Sequence, residues 1–209
     1  YHECNNYSYI IYGTTKKFKS INKLDMFLPI VVYGHPILRK ISEDITINYP
    51  NLEKFINDMF YTMDEADGVG LAAPQVGLNI RLFTVDGSAF AETDPTCEGF
   101  RKVFINAHIT ERWGNEITRT EGCLSVPGIH EDVKRFDNIK MSYMDEKGEQ
   151  YETTFSGIKA WIIQHEYDHL EGTLFTDHLS ALKKRLLKNK LTNISLGKFR
   201  PTYRVILPK

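Results

Sequence analysis

His165, Glu166 and His169 form an H-E-x-x-H pattern within "WIIQHEYDHLEG" (161–172). On a helix, side chains four residues apart share a face, with roughly 5–6 Å between their Cβ atoms. Both imidazoles can therefore reach one metal ion. Glu166 sits about 100° around the helix from His165. That angle is poor for a third ligand and good for holding a water beside the metal and handling its protons. The bland alternative is a helix carrying two surface histidines and a salt-bridging glutamate. A third ligand decides between the two.

Downstream the chain offers little. Thermolysin-like peptidases use a later glutamate, and no glutamate follows Glu171. Metzincins continue H-x-x-G-x-x-H; Gly172 fits, but Phe175 stands where the last histidine should be. Asp177 and His178 remain as candidates without a motif. Upstream, "EGCLSVPG" (121–128) sets Cys123 in a polar, glycine-containing turn between strand-like segments. A thiolate with two imidazoles is a sound three-ligand set that leaves a position open for water. Taken alone, Cys123 reads more readily as a small buried hydrophobe. "GVGLAAPQ" (68–75) ends in Gln75, whose uncharged amide has two donors suited to an oxygen gaining negative charge. The block lacks the lysine and Gly-Lys-Ser/Thr ending of a phosphate loop. Its plain reading is a tight turn packed against its neighbours.

Several elements must position these residues. Leu52, Phe55, Ile56, Met59, Phe60 and Met63 make one apolar helical stripe within 51–68. Segments 80–86, 101–109 and 115–120 are rich in β-branched and aromatic residues and read as strands, with 87–100 a loop between the first two. Residues 139–145 and 150–155 flank a Gly148-containing turn and predict a hairpin. The histidine helix is expected to start near Ser156-Gly157, with Ser156 as its cap. A third helix follows at 180–191, with Leu179, Leu182 and Leu186 on its apolar side. Strands followed by a histidine helix give an α+β class.

The 209 residues divide into a loosely ordered extension (1–27), a catalytic domain (28–182) and a basic helix or tail (183–209). Lys16, Lys17, Lys19 and Lys23, together with a start at Tyr1, make the extension read as a targeting-leader remnant. A net charge of −1 argues against a general DNA or RNA binder, and the longest apolar runs are far short of a membrane span. Cys4, Cys97 and Cys123 show no disulfide-scaffold spacing, which fits a reducing interior.

Three blocks in order, GVGLAAPQ, EGCLSVPG and QHEYDH, resemble the signature motifs of the peptide deformylase family. "GHPILRK" (34–40), Val133-Lys134-Arg135, "DEKG" (145–148) and "HLEGTLFTDHLS" (169–180) extend the resemblance over about residues 29–182. The resemblance implies an α+β fold with antiparallel sheets packed around a central metal-binding helix. It implies removal of the formyl group from N-formyl-methionyl nascent peptides, releasing formate. Cys123, His165 and His169 become the metal ligands, and Glu166 the general base and then acid. Gln75 and the Leu124 N–H become the oxyanion donors. Val69, Gly70, Glu121, Ile158, Trp161 and Ile162 become substrate-binding residues. The implied metal is Fe²⁺, which Zn²⁺, Ni²⁺ or Co²⁺ replaces. Departures are His130-Glu131 in place of an Arg-Gly pair, a bulky Trp161 and a lengthened 87–100 loop.

The Asn-, Lys-, Ile- and Tyr-rich composition, the extension and the basic tail are expected of an organellar form, plastid or apicoplast; bacterial cytoplasm is the alternative. The acid-free run 183–209 carries nine Lys and Arg. It reads either as a contact to ribosomal RNA phosphates or as a solvated helix face with a floppy tail.

Overall fold

A computed structural model describes residues 26–208. The 1–27 extension and Cys4 thus lie almost wholly outside the described residues. The strands are β1 (Ile30–Val31), β2 (Gly70–Ala72), β3 (Leu82–Asp86), β4 (Arg101–Cys123), β5 (Val126–Met144), β6 (Gln150–Ser156) and β7 (Val205–Ile206). The helices are α1 (Leu52–Glu65), α2 (Gly157–Leu170) and α3 (Ala181–Ser195). Strands β2 to β6 form one antiparallel sheet in sequence order, and β1 pairs with β7 in a small parallel sheet. The fold is α+β, as expected. The parallel pair was not: it joins opposite ends of the described chain, which a hairpin cannot do.

The apolar stripe of α1 buries Leu52, Ile56, Met59 and Met63 against Leu71, Leu82 and Ile105. The turn between β5 and β6 forms as expected. Asp145 Oδ1 accepts from the N–H groups of Lys147 and Glu149, each at 2.9 Å, and Gly148 takes φ +85°. Residues 101–109 and 115–120, read as two strands, are one long strand, and its partner runs from 126. Breaks in register after Ile105, Ile109 and Trp113 interrupt the two-residue alternation. Asn106 (φ +51°) and Gly114 (φ +88°) supply left-handed residues at the first and third of these breaks. Most of 110–119 is exposed on both faces, so no apolar pattern announces it. The 87–100 loop holds two short 3₁₀ turns and buries Cys97 against Phe100.

Helix α2 has no apolar stripe; its buried residues, Ile158, Ala160, Ile163, Glu166, Tyr167 and His169 among them, point all round. The helix is enclosed, in contact with β2, β3, β5 and β6 of the main sheet. Ser156 stands at its N-cap position without capping; its hydroxyl donates instead to Asn138 Oδ1 at 2.8 Å.

Helix α3 departs from expectation. Leu182 and Leu186 are 68% and 71% exposed, whereas Leu187, Leu191 and Ile194 are buried. Both sets have helical spacing, and the choice is made by the second core, where Val126, Val133, Leu179 and Phe175 meet α3 and β7. Burying each such side chain is worth about 1.5–3 kcal/mol. Residues of α3 and β7 thus pack into the second core. Among the described residues no helix is long and apolar enough to cross a membrane.

Candidate active site and metal centre

Cys123 pairs with Val126 at the end of the β4–β5 ladder, leaving Leu124 and Ser125 as the turn. Across from it, α2 presents His165 and His169 with ring centroids 5.3 Å apart. Cys123 Sγ lies 3.3 Å from His169 Nε2, and one donor atom from each of the three residues falls within 4.8 Å of the others. Sulfur with two imidazole nitrogens, converging and mostly buried, fits a divalent transition metal. Burial, then the charge of His165, holds His169 down at about 3, so its ring is neutral and keeps a lone pair for the metal. His178 and Asp177 take no part. His178 Nε2 donates to Asp168 at 2.7 Å, and Asp177 pairs with Arg39.

Glu121 borders the active cavity, with its carboxylate turned inward. It is 2% exposed and both its oxygens are engaged from within. Oε2 accepts from His165 Nδ1 at 2.8 Å and from Arg135 Nη2 at 2.9 Å; Oε1 accepts from Trp161 Nε1 at 2.7 Å. Burial pushes its carboxyl up, but the bonds from His165 and Arg135 outweigh that and hold it at about 2. Glu121 thus fixes the tautomer of His165 and leaves Nε2 for the side of Cys123 and His169. Arg135 continues to Asp168 at 2.8 Å. Sequence reading missed this relay, although Glu121, Arg135 and Asp168 all stood inside quoted motifs. The bulk of Trp161 is accommodated by that anchor and by an edge contact to Phe90 of the 87–100 loop.

Glu166 is 3% exposed, and burial raises its carboxyl to about 7. Among the described residues no donor reaches its Oε2. The β2 backbone passes directly over the carboxylate at Gly70, where a Cβ would lie 2.2 Å from Glu166 Oε1. Gln75 is locked: Oε1 accepts from the Ala72 N–H at 2.8 Å, so Nε2 faces Cys123 Sγ at 3.5 Å and Ser125 Oγ at 3.2 Å.

These groups open onto a cavity of about 510 Å³. Val69, Gly70, Glu121, Trp161 and Ile162 line it, but Ile158 does not; it is packed in the main core with Phe104 and Phe155. The wall also includes His130 and the stretch Arg200–Tyr203, which sequence reading did not place there. His130 stacks over Gly122, and Glu131 ties to Lys183 of α3 at 2.7 Å. The departure at 130–131 thus becomes one cavity wall and one clasp.

A family model described as polypeptide deformylase matches residues 27–185. The chain belongs to the polypeptide deformylase family. It is 51% identical over 190 residues to the peptide deformylase of Christiangramia forsetii, covering 88% of this chain and 97% of that one. The peptide deformylase of Flavobacterium psychrophilum is 50% identical over 192 residues, with 88% and 99% covered. Among solved structures, the Plasmodium falciparum peptide deformylase in complex with an inhibitor superposes with a TM-score of 0.69 at 36% identity, covering 79% of this chain and 97% of that one. The enzyme is a metal-dependent hydrolase of the deformylase class, removing the formyl group from the N-terminus of nascent polypeptides. The organellar expectation finds no support here. The relatives near 50% identity are bacterial, well above the 36% shared with the Plasmodium enzyme.

Proposed function

We propose that Cys123, His165 and His169 hold one Fe²⁺, replaceable by Zn²⁺, Ni²⁺ or Co²⁺, and that Glu166 moves the proton in formyl hydrolysis. One observation carries this: a buried carboxylate oxygen, Glu166 Oε2, without a partner among the described residues, on the helix whose two imidazoles converge with Cys123 Sγ. When bound, the metal would supply Lewis acidity, polarising the formyl carbonyl and making water more acidic. Glu166 takes the proton of the attacking water and returns it to the leaving amine nitrogen. Gln75 Nε2 and the Leu124 N–H donate to the formyl oxygen as charge grows on it. Val69, Gly70, Trp161 and Ile162 receive the methionine side chain. Formyl is the smallest acyl group, and walls as close as Gly70 and Leu124 exclude a larger one sterically. Glu121 acts through His165 rather than on substrate.

Anaerobically purified protein should carry one divalent metal per chain and release formate from a formyl-methionyl peptide, leaving the acetyl-methionyl analogue intact. Cys123→Ser should lose most of the metal and the activity together, whereas Cys97→Ser should keep both. Equal losses from the two cysteine variants would remove the thiolate from the ligand set. Activity of the Fe²⁺ form should decay in air and persist after exchange to nickel.

The exposed side of α3 carries Lys184, Arg185, Lys188 and Lys190. We read it as an electrostatic contact to ribosomal RNA phosphates. The bacterial cytoplasm is the compartment that the bacterial relatives favour. Since α3 and β7 build the second core, truncation would unfold the body, and charge reversal is the cleaner probe. Arg185, Lys188 and Lys190 changed together to Glu should weaken low-salt ribosome co-sedimentation several-fold with peptide deformylation unchanged. Undiminished co-sedimentation would leave α3 a solvated face.

A further inference from the structure

The turn that carries Leu124 is held from behind by the two ends of the described chain. Cys123 and Val126 close the ladder, so neither Leu124 nor Ser125 has a ladder partner for its carbonyl. A buried carbonyl needs a donor from elsewhere. Ser125 O accepts from the Tyr33 N–H at 2.8 Å, and Leu124 O accepts from the Tyr203 hydroxyl at 2.6 Å. Tyr33 lies two residues beyond β1 and Tyr203 two residues before β7. Those strands are bonded to each other, Ile30 N–H to Arg204 O at 2.9 Å and Val32 N–H to Ile206 O at 3.1 Å. The small parallel sheet is thus a clamp with one jaw on each turn carbonyl. On the opposite side Gln75 Nε2 meets Ser125 Oγ and Cys123 Sγ. Tyr203 also lines the active cavity, and its ring packs against the second core.

We propose that Tyr203 is a positioning residue for deformylation: by holding the Leu124 carbonyl it sets the orientation of the turn, and so the aim of the Leu124 N–H into the site. This rests on the reading of Leu124 as an oxyanion donor. A backbone N–H works in the transition state through its angle and distance, and a displacement near 1 Å costs up to about 10²-fold. The phenol is the part of Tyr203 that matters for aim, and the ring is the part that matters for packing. Phenylalanine separates the two.

The test uses full-length, metal-loaded Tyr203→Phe, with steady-state kinetics on a formyl-methionyl peptide, metal content, and amide hydrogen exchange across 122–128. We expect kcat to fall roughly 10-fold, below the roughly 10²–10³-fold cost of losing one oxyanion donor outright. KM and metal content should stay near wild type, and exchange in the turn should quicken. Unchanged exchange would overturn the positioning role. Faster exchange at unchanged kcat would instead overturn the reading of Leu124 and leave Tyr203 a structural clamp only. Metal lost in step with kcat would also defeat the proposal, placing the effect at Cys123. Should the variant prove partly unfolded, kcat is referred to folded, metal-loaded chain; a fall no larger than the loss of folded protein, with KM unchanged, would count against positioning.

Discussion

Glu166→Gln is expected to keep the full metal complement and lose roughly 10²–10⁴-fold in formate release. Glutamine preserves the size of the side chain and its place beneath β2, but it cannot accept a proton from water. On the proposed mechanism the buried Oε2 receives that proton, and no protein donor competes for it among the described residues. Burial is the leading cause of the carboxyl's rise to about 7. Metal analysis and single-turnover formate release on one preparation decide the matter. Metal lost along with activity would make Glu166 a structural support of the helix and withdraw its role in proton transfer.

Gly70→Ala is expected to be nearly as damaging, although it alters no group that does chemistry. The added methyl carbon would sit 2.2 Å from Glu166 Oε1 and 2.6 Å from its Cδ, far inside contact distance. Either the β2 backbone lifts or the carboxylate swings away. β2 is held by its ladder to β3 and by the Ala72 N–H bond to Gln75, so the carboxylate is the softer side. A displacement of that size should cost about 10²-fold in kcat or more, with metal retained because Cys123, His165 and His169 are untouched. Near-wild-type kcat in Gly70→Ala would show that Glu166 tolerates a range of positions, and would sink the claim that the backbone aims it.

Much of the chemistry was legible because it is local. Two histidines four apart and a glutamate beside the first define a helical face by the 3.6-residue period alone, whatever packs around it. The stripe of α1 and the Asp145–Glu149 turn were legible for the same reason: each is satisfied within a few residues of chain. The alternation that marks a strand failed where bulges break it, so the long β4–β5 hairpin that delivers Cys123 was visible only in pieces.

What only the tertiary structure decided are the pairings between distant residues of similar type. Two leucine stripes on α3 had equal periodicity, and the presence of β7 and Val133 on one side chose Leu187 and Leu191 over Leu182 and Leu186. Glu121 stands in a motif beside the cavity, but Arg135 of β5 and Trp161 and His165 of α2 converge on it and engage its oxygens. The cavity wall at Arg200–Tyr203 has no local signal at all; it exists because the C-terminal segment folds back to pair with β1. A side chain's type and spacing set what it is able to do. Which partner it meets depends on long-range closure of the chain, and that is absent from any short window of sequence.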